Sequence, residues 1–215
     1  DHSRFLAPDR LEHEQEILRR VGKNTDAQMR RGVLVIGTQV LEQSLDLDFD
    51  LLITDLCPMD LLLQRIGRLH RHTRIRPQEL EVPRCLVMGA LGELDAGSQA
   101  VYGEYLLLRT RRLLPERIRL PEDISPLVQR TYDAMRFPPE SDEETGAAYE
   151  AYQYAQKHQK CKAEAYLLAQ CDDYDSLVGM MDNIDQFTDL QAQAAVRDGT
   201  AAVEVLVVQR SEDGM

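Results

Sequence analysis

The feature that most constrains this chain is an uninterrupted apolar, mostly β-branched run closed by glycine, Val33-Leu34-Val35-Ile36-Gly37. A run that short, apolar on both faces and bounded by Gly, reads as a strand covered on both sides, as in a parallel sheet. Phe49 to Asp55 repeats the pattern, and Arg84 to Met88 repeats it again. Helical spacing fills the intervals. Leu11, Ile17, Leu18 and Val21 recur among Glu and Arg over residues 9–20, and a helix begins near Asp60, a plausible N-cap. Strands alternating with helices predict an α/β domain with a mainly parallel sheet, ending near residue 100.

Beyond residue 100 the texture changes. Residues 99–114 predict a helix. Pro115, Pro121, Pro126 and Phe137-Pro138-Pro139 punctuate the next stretch. Residues 140–146 read as a solvated charge run, 145–171 as one long helix, and Ala201 to Val208 as a late strand. The organisation expected is therefore residues 1–100 as an α/β lobe, 101–139 as a helical, Pro-rich linker and 140–215 as an acidic C-terminal domain. Charge follows this division. Residues 1–137 hold 20 Lys and Arg against 21 Asp and Glu, whereas residues 138–215 hold 5 against 16. A net charge of −12 argues against a surface that grips nucleic acid everywhere, but the near-neutral first part can carry a local basic groove.

The four cysteines, Cys57, Cys85, Cys161 and Cys171, form no C-x-x-C pair and no zinc-ligand spacing with His. They read as reduced, buried thiols of a cytoplasmic protein, with no metal site. No apolar run approaches the roughly 20 residues a membrane span needs. The opening Asp1-His2-Ser3-Arg4 has neither initiator Met nor charged-then-apolar leader, which suggests a piece of a longer protein.

Chemistry concentrates in Gln64-Arg65-Ile66-Gly67-Arg68-Leu69-His70-Arg71. On a continuous helix, Gln64, Arg68 and Arg71 would share one face, with Leu61, Leu62 and Leu63 towards the core. Two guanidiniums on one stripe suit a polyanion, because each offers a rigid fork of donors matching phosphate oxygens. Gly67 would permit close approach to the backbone. A basic helix end that merely complements the dipole is the bland alternative. Upstream, the expected strand 33–37 runs into Thr38-Gln39-Val40-Leu41-Glu42-Gln43-Ser44-Leu45-Asp46. A strand leading into a polar loop places side chains at the carboxyl edge of a parallel sheet, where open α/β folds bind ligands. Asp46 could accept from a ribose hydroxyl, and Thr38 could donate to a phosphate.

Gly37 to Asp46 resembles motif V of superfamily 2 helicases, Gln64 to Arg71 resembles motif VI, and His2-Ser3-Arg4-Phe5 with Asp9-Arg10 resembles motif IV. The wording Thr-Gln-Val-Leu-Glu-Gln-Ser-Leu-Asp-Leu-Asp-Phe-Asp, then Gln-Arg-Ile-Gly-Arg-Leu-His-Arg-His, is similar to the CRISPR-associated helicase–nucleases of type I interference systems. The resemblance covers roughly residues 1–90. It implies a second RecA-like lobe, with ATP and Mg²⁺ bound between two such lobes in the intact protein. Arg68 and Arg71 would then be arginine fingers with Gln64 beside them. Asp46 and Gly67 would face the nucleotide, and Ser3, Arg4, Thr38 and Gln39 would contact DNA. The partners implied are single-stranded DNA, the first lobe of the same protein and an RNA-guided surveillance complex.

The sequence contains no G-x-x-x-x-G-K-[ST] loop, since Gly22-Lys23-Asn24 lacks the upstream Gly and the hydroxyl. Nor does it contain an Asp-Glu-x-His box or the His-rich metal set of the family's nuclease domain. The chain alone is expected to be inactive. The other readings are a lobe of a different superfamily 2 helicase and a non-catalytic acidic interaction module. Tyr149, Tyr152 and Tyr154 read as packing rather than a base-stacking platform, Asp172 to Asp175 as a polar turn, and Arg109 to Arg112 as either a DNA contact or a wet helix face.

Overall fold

The structure is a computed structural model, and it describes residues 7–37, 46–134, 136 and 142–165. Two compact units divide the chain, residues 1–152 and 153–215.

In the first unit, helix α1 (Ala7–Val21) forms where the sequence spacing places it, and its last residue, Val21, is buried. Glu16 pairs with Arg19 and Arg20 one turn on. A short α2 (Ala27–Arg30) follows, capped by Asp26, whose side chain accepts from the Met29 amide at 2.8 Å. The sheet is one parallel pair, β1 (Leu52–Asp55) beside β2 (Cys85–Met88), with Leu52 opposite Cys85 and Asp55 opposite Met88. Parallel strands require a crossover, and α3 (Met59–Ile66) with a 3₁₀ turn (Gln78–Leu80) lies within it.

Three expectations change here. Val33 to Gly37 is not a strand: Leu34 and Ile36 are 81% and 77% exposed. A β-branched residue favours extended backbone, but a strand also needs a ladder of amides shared with a neighbour, and among the described residues this segment joins neither the two-stranded sheet nor an isolated bridge. The run instead lines a groove of about 1620 Å³, together with Leu51 to Asp55. Secondly, regular strand begins at Leu52 rather than Phe49, because Phe49 forms an isolated parallel bridge with Leu69 and the chain then bends. Thirdly, Pro58, not Asp60, stands at the N-cap of α3. Asp60 lies in the first turn and accepts from the Tyr132 hydroxyl at 2.5 Å.

The predicted helix over 99–114 is two helices, α4 (Ala96–Tyr102) and α5 (Glu104–Leu113), broken at Gly103, whose φ of 80° favours glycine. Helix α6 (Ile124–Tyr132) packs on α3 through Leu127, Met59 and Leu63. Helix α7 (Glu143–Ala165) begins two residues earlier than the spacing predicts. Its Ala148, with Tyr149 and Tyr152, meets Tyr105 and Leu108 of α5. The tyrosine rings of 149 and 152 lie 4.9 and 5.0 Å from that of Tyr105, so they pack, as expected. Asp142, read as part of a solvated run, accepts from the Thr145 amide at 3.0 Å and pairs with Arg112 at 2.6 Å. The second unit is described only over 153–165, the end of α7, where Tyr154, expected to pack, is instead 75% exposed and its ring stacks on His158. Among the described residues no helix is long and apolar enough to cross a membrane. Asp172 to Asp175, the end of the long helix expected to reach 171, and the late strand lie outside the described residues.

Candidate functional site

The single helical stripe expected for Gln64, Arg68 and Arg71 does not form. Helix α3 ends at Ile66, and Gly67 is its C-cap. The chain turns through Arg68, bridges to Phe49 at Leu69, and passes through His70 in the left-handed region at φ 49°. Two backbone bonds seal the turn: the Phe49 amide donates to the Arg68 carbonyl at 2.8 Å, and the His70 amide to the Phe49 carbonyl at 3.0 Å. Gln64 therefore stays on the helix, exposed, while Arg71 starts an extended segment. Gly67 would meet the Gln64 carbonyl at 3.3 Å if it carried a Cβ, so close packing of the turn accounts for it.

The two arginines nonetheless converge with Asp46. Burial pushes the Arg68 guanidinium below its ordinary range, the charge of Arg71 pushes it the same way, and the charge of Asp46 opposes both. Nε of Arg71 sits 2.8 Å from Oδ1 of Asp46. Nε2 of His72 sits 2.9 Å from the same oxygen. Desolvation alone would raise the Asp46 carboxyl; the His72 hydrogen bond and the charges of His72, Arg71 and Lys23 outweigh it and hold the group below the usual carboxylate range. Asp46 also lines a cavity of about 450 Å³ with Leu18, Arg19, Lys23 and Asn24.

Beneath this cluster lies an arrangement that the motif reading missed. Asp46, Asp48 and Asp50 alternate along one segment, and His72, Arg74 and Arg76 alternate along another. The two segments mesh acid against base. Asp48, 0% exposed, faces Arg74 Nε at 2.5 Å and Arg76 Nη2 at 2.8 Å. Asp50 pairs with Arg76 and, at 3.0 Å, with Arg30. Arg30 also donates to the Asp48 carbonyl at 2.5 Å. Asp48 Oδ1 accepts the Arg71 amide at 3.0 Å, so a buried carboxylate fixes the backbone that carries Arg71. Burial of residues 71–76 alternates in step, with Ile75 turned out at 94% exposure. Period-two spacing of acids and bases was the available signal.

Arg65, adjacent to the motif arginines, has a different task. Its Nη1 donates to the Thr54 hydroxyl at 2.6 Å and its Nη2 to the Tyr102 hydroxyl at 3.3 Å, which ties α3 to β1 and α4. In the 109–112 basic run, Arg109 is buried and donates to the Arg130 carbonyl at 2.8 Å, while Arg111 donates to the Gly92 carbonyl. Those side chains hold the fold. Ser3, Arg4, Thr38 and Gln39, expected at DNA, lie outside the described residues.

Residues 1–74 match the family described as CRISPR-associated nuclease/helicase Cas3, C-terminal. The Cas3 nuclease/helicase of Streptococcus thermophilus is 43% identical over 99% of this chain, and that of Escherichia coli is 31% identical over 99%. The chain spans about a quarter of these relatives, 24% and 23% of their lengths. Among solved structures, one titled as a CRISPR-associated protein superposes with a TM-score of 0.70 at 35% identity, covering 90% of this chain and 22% of that one. T. fusca Cas3 solved with AMPPNP gives 0.61 at 35% identity, covering 74% of this chain and 19% of that one. The mixed helix-and-strand body with its parallel pair is thus the α/β, RecA-like fold of those structures. With its first 74 residues inside the family's own profile and the rest matched by its members, the chain belongs to the Cas3 helicase–nucleases of type I CRISPR systems.

Proposed function

We propose that this chain is the second motor lobe and part of the C-terminal domain of an ATP-driven single-stranded DNA translocase whose separate nuclease cuts the strand it pulls. The observation that carries this reading is the convergence of Arg68, Arg71 and Asp46 at the turn after α3. The donor set fits a nucleotide phosphate. Arg71 pairs with Asp46 through Nε, and among the described residues its two Nη atoms make no hydrogen bond, leaving one edge of the fork for an anion. ATP with Mg²⁺ would supply the phosphoryl group to be transferred. Arg68 and Arg71 would neutralise charge that spreads over its oxygens, from a lobe facing the one that holds the phosphate loop. Asp46 would accept from the ribose, with Gly67 at the turn beside it. Gln64, exposed on the last turn of α3, would reach the nucleotide only with the lobes closed.

In this reading Ser3, Arg4, Thr38 and Gln39 grip the DNA backbone, residues 1–100 are the lobe, 101–139 the linker and 140–215 the acidic domain. Recruitment is by an RNA-guided surveillance complex, since a relative is titled as part of one in a pre-nicking state. The location is cytoplasmic, and the chain by itself is inactive.

The test uses the full-length protein. Arg68→Ala and Arg71→Ala should each lower DNA-stimulated ATP hydrolysis by about 10³- to 10⁵-fold, as loss of an arginine finger does elsewhere. Binding of single-stranded DNA, read by fluorescence anisotropy, should persist, and the melting temperature should hold. Unchanged hydrolysis with altered binding to a partner protein would favour the interaction-module reading instead.

A further inference from the structure

We infer that His72, acting through Asp46, is the positioning residue that aims the Arg71 guanidinium. The inference rests on the motor reading above and adds to it a residue outside the motif arginines.

The geometry is a relay through one oxygen. Asp46 Oδ1 accepts from His72 Nε2 at 2.9 Å and forms an ion pair with Arg71 Nε at 2.8 Å. Asp46 is half-exposed, and a carboxylate there has rotamers to choose from unless something holds it. His72 is the holder, because its ring faces inward and its own backbone is tied down: the His72 carbonyl accepts Arg76 Nη2 at 3.0 Å, and Arg76 is buried against Asp48. A fixed imidazole N–H thus orients the carboxylate, and the carboxylate engages one edge of the guanidinium. The Arg71 backbone is fixed independently by Asp48 Oδ1. Held at its amide and at Nε, Arg71 keeps its outer Nη pair in one direction without contact from His72 to any ligand. A finger aimed in advance loses less freedom when the anion arrives, and a misplacement of about 1 Å can cost on the order of 10²-fold in rate.

The test is steady-state ATP hydrolysis by the full-length protein in saturating single-stranded DNA. His72→Phe fills the space of the ring but donates nothing. It should lower kcat about 10- to 100-fold, with the KM for ATP moving less than about threefold and the melting temperature held. His72→Gln, whose amide N–H reaches the place of Nε2, should restore most of the rate. In an Arg71→Ala background, His72→Phe should cost nothing further, because the residue it aims is gone. An equal loss in both backgrounds, a full-speed His72→Phe enzyme, or a dead His72→Gln enzyme with native stability would each overturn the inference. An Arg71→Ala enzyme that hydrolyses ATP normally would instead overturn the motor reading on which it rests.

Discussion

Cys85 and Cys161 carry the same thiol into different surroundings. Cys85, on β2, is pushed up to about 11 by burial, against a weaker opposing pull from Arg65. Cys161, on α7, is exposed. Only the thiolate alkylates, so at pH 8.5, near the ordinary thiol range, Cys85 should react about 100-fold more slowly than Cys161. Timed iodoacetamide labelling with peptide mass analysis checks this, and matched rates would contradict the burial of the Cys85 thiol. At this scale the sequence was legible where identity alone decides. Arg68, Arg71 and Asp46 could be singled out by type and spacing, but the exposure of Cys161 could not be foreseen. What Asp46 touches could not, because His72 and Arg71 reach it from 26 and 25 positions away along the chain.

Among the elements, the meshed segments 46–50 and 72–76 outweigh the two-stranded sheet in fixing the site. Asp48 sits between Arg74 and Arg76, fully buried, and accepts the Arg71 amide. Asp48→Ala would strip the largely buried Arg74 of its carboxylate and leave Arg76 with Asp50 alone. Breaking a buried ion pair from one side costs about 3–5 kcal/mol, and chemical denaturation should show a loss of that size. A change below about 1 kcal/mol would mean that water reaches the pair. Helices were the readable elements, since α1 follows from the spacing of Leu11 and Leu18, α3 from a start near Asp60, and α7 from its Ala-, Tyr- and Lys-rich composition. Their ends were not. Gly67 stops α3 before the motif arginines, and Gly103 divides α4 from α5, each by a backbone geometry that the spacing of apolar residues does not encode. The strand expected at 33–37 failed for another reason: propensity is a property of the residues, whereas pairing belongs to the neighbour.

For the whole first unit, the consequence is an uncovered apolar wall. Leu34, Ile36 and Ile53 are each more than half exposed, and the groove they share with Tyr102 and Val101 measures about 1620 Å³. Patches of this kind mark contact surfaces or aggregation hazards. The isolated 215-residue chain should brighten an apolar dye such as anilinonaphthalene sulfonate. Leu34→Asp with Ile36→Asp should abolish most of that signal while moving stability within about 0.5 kcal/mol, as for other exposed positions. Dye uptake unaffected by the double change would place the apolar surface elsewhere. The fold class was legible at this scale, because alternating strand and helix patterns leave few alternatives; which surfaces stay covered was not.

The interleaved acids and bases behave like two combs pressed together, where fit depends on pitch as well as on the deepest tooth, Asp48. Exchanging Asp50 for Glu lengthens a tooth and leaves the pitch intact. Inserting one residue after Leu47 would shift the phase, turning Asp48 away from the guanidiniums and onto the buried face that Leu47 occupies. Length, more than composition, is therefore what these ten positions must preserve, and the aim of Arg71 is lost with the phase.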